Sequence, residues 1–102
     1  MRLNFKVSGV TFDDRQKLIK ELYQKGRIRK AQLVKETDNP HDPNAVKVMI
    51  GDKTIGYVPK EASEDIGEAI PYIMTTNVEL MYASDHDTYF AMCTVFVPGG
   101  EA

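Results

Sequence analysis

Tryptophan is missing from this chain of 102 residues, and cysteine occurs once, at Cys93. A single thiol excludes an internal disulfide, and its setting in FAMCTVFV marks Cys93 as a small hydrophobe buried on a strand. No apolar run approaches the roughly 20 residues that cross a bilayer, and the N-terminal segment MRLNFKVSGV lacks the long apolar core of a secretory signal. Together these absences point to a reducing, cytoplasmic setting away from membranes. The chemistry of catalysis is equally thin. There is no Walker or Rossmann glycine motif, Gly99 and Gly100 fall in a short tail, and no nucleophile has a base beside it in sequence. His41, His86 and Cys93 lack the short spacing of zinc ligands, and Pro40 and Pro43 stiffen a loop that a calcium site would need to bend. The sequence therefore reads as a binding protein without cofactor or metal, and not as an enzyme.

What is present suffices for one domain. An apolar share of 42% with 27% charged residues is that of an ordinary globular protein. Residues 1–98 are expected to form a single domain and 99–102 a C-terminal tail. Net charge is −2, but the charges are segregated. Arg15, Lys17, Lys20, Lys25, Arg27, Arg29, Lys30 and Lys35 are opposed over that span by Glu21 alone, whereas Glu61, Glu64, Asp65 and Glu68 cluster without a base. The first segment implies a basic face.

Periodicity supplies the elements. Leu3, Phe5 and Val7 alternate with polar residues as in a half-buried strand, and Gly9 shifts the phase so that Val10 and Phe12 continue it one register later, through a bulge or a close backbone approach. Asp13 is placed to cap a helix with Gln16 returning the bond; Leu18, Ile19, Leu22 and Tyr23 form its apolar stripe and Gly26 its stop. Residues 28–35 read as one strand, and the Asn and Pro cluster of 38–44 as a structured loop. Val46 to Ile50 and Thr54 to Val58 make a hairpin across Gly51-Asp52-Lys53. A second helix carries Ala62, Ile66, Ala69 and Ile70 inward and ends at Pro71. Residues 77–83 and 88–97 form a last hairpin, whose second strand is apolar on both faces and so belongs in the middle of a sheet. About six strands with two short helices make a mainly β (α+β) barrel.

The densest chemistry lies between Glu36 and Tyr57, in ETDNPHDPNAVKVMIGDKTIGY. Asp38 and Asn44 suit Asx turns, while His41 and Asp42 exceed what a turn requires. Gly9-Val10-Thr11-Phe12 with Arg15-Gln16, then Asp38-Asn39-Pro40-His41-Asp42-Pro43-Asn44-Ala45-Val46-Lys47-Val48, then Ile55-Gly56-Tyr57-Val58-Pro59 resemble, in order and spacing over about residues 5–70, the HIRAN domain. The resemblance implies an OB-like or SH3-like barrel, here similar to the free-standing bacterial form. It implies binding of single-stranded DNA, with the 3′-hydroxyl end held in a pocket, in DNA repair or replication. On that likeness Asp42 receives the hydroxyl, Phe12 and His41 stack on terminal bases, and the backbone at Val10 and Thr11 lines the pocket. Tyr57 and Lys60 flank the phosphates, and the basic residues Arg15 and Arg29 add contacts to the backbone of the strand. Thr11-Phe12-Asp13 and His41 stand where the end-binding relatives carry a base with two aromatics and a tyrosine, which removes a phosphate contact, adds the unfavourable charge of Asp13 and leaves a smaller stacking face at His41. The remaining partner is a protein: a helicase or another chain that uses the same groove or an edge strand.

Overall fold

The computed structural model describes residues 2–40 and 42–98. Seven strands and two helices follow one another as β1 (Arg2–Lys6), α1 (Arg15–Lys25), β2 (Ile28–Lys30), β3 (Gln32–Lys35), β4 (Val46–Ile50), β5 (Lys53–Tyr57), α2 (Lys60–Ala69), a 3₁₀ turn (Ile70–Tyr72), β6 (Thr75–Ala83) and β7 (Thr88–Phe96). One sheet has the order β1-β7-β6-β2 and the other β3-β4-β5, all pairings antiparallel. β7 is central in its sheet, as its two apolar faces require: Ala91, Cys93 and Val95 are fully buried and Phe90, Met92 and Thr94 half-buried.

The two sheets form a ring. On one side the chain runs from β2 into β3 through Ala31, whose N–H donates to the Thr76 carbonyl at 2.9 Å. On the other, Ser8 and Tyr57 exchange two backbone hydrogen bonds, of 2.7 and 2.8 Å, which ties the end of β1 to β5. That joint needs a glycine. A Cβ on Gly56 would strike the Ser8 carbonyl oxygen and lie 2.5 Å from Val7 Cγ1, so only the bare backbone lets β5 come this close. The interior is filled by Val46, Val48, Ile55, Val78, Leu80 and Val95 from the strands, with Ile19 and Ile66 from the helices. Fully burying such a side chain contributes about 1.5–3 kcal/mol.

Several elements depart from the sequence pattern. The strand expected over residues 28–35 is divided at Ala31 between the two sheets. β2 also turns Arg29 inward and leaves Ile28 exposed, because its register places Arg29 opposite the buried Val78. Gly9 does not open a bulge in a longer strand; with φ of +72° it starts a tight turn, in which the Phe12 N–H reaches the Gly9 carbonyl at 3.3 Å. Asp13 does not cap α1. It has φ of +55°, Asp14 occupies the cap position without a side-chain bond, and Gln16 is drawn elsewhere. The Gln16 amide donates to the carbonyls of Val10 at 2.9 Å and Tyr89 at 2.8 Å and accepts from the Tyr89 N–H at 2.8 Å. Two bonds with distant Tyr89 and one to Val10 together outcompete one local cap. The first hairpin is tighter than expected, since Ile50 pairs with Lys53 across Gly51-Asp52 alone. The second helix carries Ile66 into the core and Glu61, Glu64, Asp65 and Glu68 outward.

Gly56→Ala should lower stability by about 1–3 kcal/mol, as overpacking does, measured as the shift of a urea midpoint. Burial pushes the Cys93 thiol from an ordinary 9.0 up to about 12. The folded thiol thus holds its proton where the unfolded one releases it, and this contribution to stability is complete below pH 9.0 and lost as pH rises from 9.0 towards about 12. In urea titrations across this range, Cys93→Ala should remove a slope of at most about 1.4 kcal/mol per pH unit.

Candidate nucleic-acid interface

The joint between β1 and β5 carries a cavity of about 330 Å³. Ser8, Gly9 and Phe12 contribute from the turn before α1, Asn39, Asp42 and Ala45 from the loop before β4, and Tyr57, Val58 and Lys60 from the end of β5 and the start of α2. Each wall has a local cause. The left-handed conformations of Gly9 and Asp13 bracket a turn that pushes the Phe12 ring outward, leaving it 66% exposed at the rim. Val10, in the same turn, faces the core instead.

The loop is built from its own side chains. Asn39 Oδ1 accepts the Asp42 N–H at 3.1 Å, the Asp42 carbonyl accepts the Ala45 N–H at 3.1 Å, and Asp42 Oδ1 accepts the Asn44 N–H at 2.9 Å. The last of these is an Asx turn. It occupies one carboxylate oxygen of Asp42, while the other has no hydrogen bond among the described residues. Pro40 and Pro43, both exposed, stiffen the segment without lining the cavity.

Tyr57, which lines the cavity, is packed against Arg15, which does not. The Arg15 guanidinium lies 5.3 Å from the Tyr57 ring centroid and donates to the Gly9 carbonyl at 2.8 Å. Tyr57 donates its hydroxyl proton to the Glu36 carboxylate, with distances of 3.0 and 3.2 Å to its two oxygens, and Asn39 Nδ2 donates to Glu36 Oε1 at 2.9 Å. Burial, followed by the hydrogen bond and charge of Glu36, raises the Tyr57 pKa above its ordinary value. The phenol is therefore neutral, and its only proton is directed to Glu36 rather than to a phosphate. Asp42 and Lys60 are the charged groups on the cavity wall, one of each sign.

Of the residues singled out in the sequence, Phe12, Asp42, Tyr57 and Lys60 thus surround one cavity, Arg15 packs on the Tyr57 ring without lining it, and Thr11 is exposed in the adjoining turn. His41 lies outside the described residues. Arg29 is elsewhere: it sits on β2, at the edge of the first sheet opposite β1, with its guanidinium 3.5 Å from the Gly26 carbonyl. The basic segment 15–35 does not form one face bordering the cavity. Lys17, Lys20 and Lys25 are exposed along α1, Arg27 lies over Tyr23, and the Lys35 stem packs on Gly67. Sequence reasoning passed over Ser8 and gave Asn39 and Glu36 no binding role, although both lie in the stretch 36–57. Asn39 was visible within the Asn-Pro motif as a turn former, but nothing local signals that Glu36 meets Tyr57. Among the described residues no three His, Cys, Asp or Glu side chains converge on a metal site, and no helix is long and apolar enough to cross a membrane.

No curated protein matches the sequence. Among solved structures the chain is similar to the crystal structure of the HIRAN domain of human HLTF, with a TM-score of 0.63 at 15% identity, over 93% of this chain and 74% of that one. At that identity the likeness establishes the fold, an OB-like arrangement. The HIRAN domain family matches residues 2–98. With almost its whole length matched, the chain belongs to the HIRAN domain family, known generally as nucleic-acid-binding modules and generally non-catalytic.

Proposed function

We propose that this protein binds single-stranded DNA and holds a terminal 3′-hydroxyl in the cavity at the β1–β5 joint. The observation that carries the reading is the meeting of an exposed aromatic, Phe12, with a half-engaged carboxylate, Asp42, in one cavity of a nucleic-acid-binding family. Exposing two-thirds of a phenylalanine to water is unfavourable, and a base stacked on the ring would cover it. The second oxygen of Asp42 can accept a hydroxyl proton, and an ionised carboxylate repels a terminal phosphate. Lys60, on the cavity wall, would meet the backbone phosphate next to the end, and His41 keeps the stacking role that the family likeness gives it. Such a module acts by occupying strand ends, which suits DNA repair or replication, alone or beside a helicase.

The balanced charges of Asp42 and Lys60 favour a second reading, in which the same cavity takes a segment of a partner protein. Competition separates the two: an oligonucleotide that fails to displace a bound protein partner places that partner elsewhere.

Fluorescence anisotropy with oligonucleotides ending in 3′-hydroxyl or 3′-phosphate should show preference for the hydroxyl; equal and negligible binding of both at low salt would sink the proposal. Asp42→Ala should abolish the preference. Phe12→Ala should weaken binding of both ends by about 1–3 kcal/mol, the worth of one stacked base. Lys60→Ala should lower the slope of log affinity against log salt by about 1, whereas Arg29→Ala should leave the end preference unchanged.

A further inference from the structure

The carboxylate of Asp42 can distinguish two kinds of end only if its direction is fixed, and the loop that carries it is exposed at Pro40, Pro43 and Asn44. From the geometry we infer that Glu36 is the positioning residue that fixes it, and thereby a determinant of end specificity. This inference rests on the proposed reading of the cavity.

Glu36 sits just past β3, where its N–H donates to the Ala45 carbonyl at 2.9 Å, so its backbone belongs to the sheet and not to the loop. Its half-buried side chain reaches in two directions. Towards the barrel it receives the Tyr57 hydroxyl on both oxygens; towards the loop it receives Asn39 Nδ2. Asn39 passes the constraint on, because with its Nδ2 held by Glu36 its Oδ1 is turned to accept the Asp42 N–H. Asp42, which lines the cavity, in turn accepts the Asn44 N–H on one oxygen, and its other oxygen has no hydrogen bond among the described residues. The chain of bonds runs from Tyr57, itself fixed by the Ser8 bridge and the Arg15 guanidinium, through Glu36 and Asn39 to Asp42. Hydrogen bonds to a charged acceptor are about twice as strong as neutral ones, and a carboxylate can receive both donors at once. Glu36 itself does not line the cavity. Its influence on a ligand passes through Asp42.

The test uses the full chain with Glu36→Ala and Glu36→Gln. The Gln variant keeps an oxygen for Asn39 and an amide that can donate to the Tyr57 oxygen, but carries no charge. In the 3′-hydroxyl against 3′-phosphate comparison, Glu36→Ala should reduce the preference by about tenfold, the worth of one charge-assisted hydrogen bond. Affinity for the 3′-phosphate end should not fall. Glu36→Gln should stay within about twofold of the parent. Loss of preference in Gln as well would show that the charge acts directly and would overturn the inference. Amide hydrogen exchange of the free protein supplies a readout that needs no DNA. The Asp42 and Asn44 amides should exchange faster in Glu36→Ala and at the parental rate in Glu36→Gln; unchanged exchange in Ala would also overturn it. If the parent shows no end preference, the proposed function fails while the exchange measurement still judges Glu36. Should Glu36→Ala not fold, Tyr57→Phe removes one of the same bonds and is expected to speed exchange at both amides, and parental rates there would overturn the inference.

Discussion

The contact on which the rest depends is the pair of backbone hydrogen bonds between Ser8 and Tyr57. Without it no backbone hydrogen bond among the described residues would join β1 to β5, and the ring would stand open there. Two peptide groups can pair this closely only where the intervening side chain is absent, and Gly56 supplies that absence. The same short distance brings the Gly9 turn against the loop before β4, so closure of the barrel and construction of the cavity are one event. Residues on either side of the joint consequently serve both: Tyr57 pairs through its backbone, supports Arg15 with its ring and holds Glu36 with its hydroxyl.

Electrostatically the cavity is economical. Arg15 is turned towards the Gly9 carbonyl and the face of Tyr57, and Glu36 is committed to two donors. These internal ions stiffen the wall, and under the proposed function Lys60 and Asp42 are the charged side chains among the described lining residues that would meet a ligand. An interface with so little free positive charge relies on shape and stacking more than on counterion release, and its affinity should depend only modestly on salt.

The barrel, its hairpins and the central place of β7 were legible in the sequence because alternation and turn residues report how each segment is half-buried. The split at Ala31 was not, since residues 28–35 contain no Gly or Pro to mark a division, although their two strands belong to different sheets. Asp13 and Gln16 have the spacing of a capping box, yet Gln16 spends its amide on Val10 and on Tyr89, far along the chain. Local spacing cannot register a competitor that distant. In the same way the Asn-Pro loop and the Ile-Gly-Tyr segment pointed to Asp42 and Tyr57, while the carboxylate that joins them lay outside both motifs. The basic run 15–35 suggested one surface, but a helix, two strands and two sheets distribute its side chains.

The antiparallel pairing of β1 with β7 places Arg2 beside Phe96, so the described segment begins and ends at one edge of the molecule. A unit with adjoining ends can be spliced into a surface loop of a host polypeptide without stretching either partner. The cavity, at the other end of β1 beyond Lys6, would then face away from the graft. The pairing sets both ends of the described segment at the Arg2–Phe96 edge and leaves the cavity beyond Lys6, at the far end of β1.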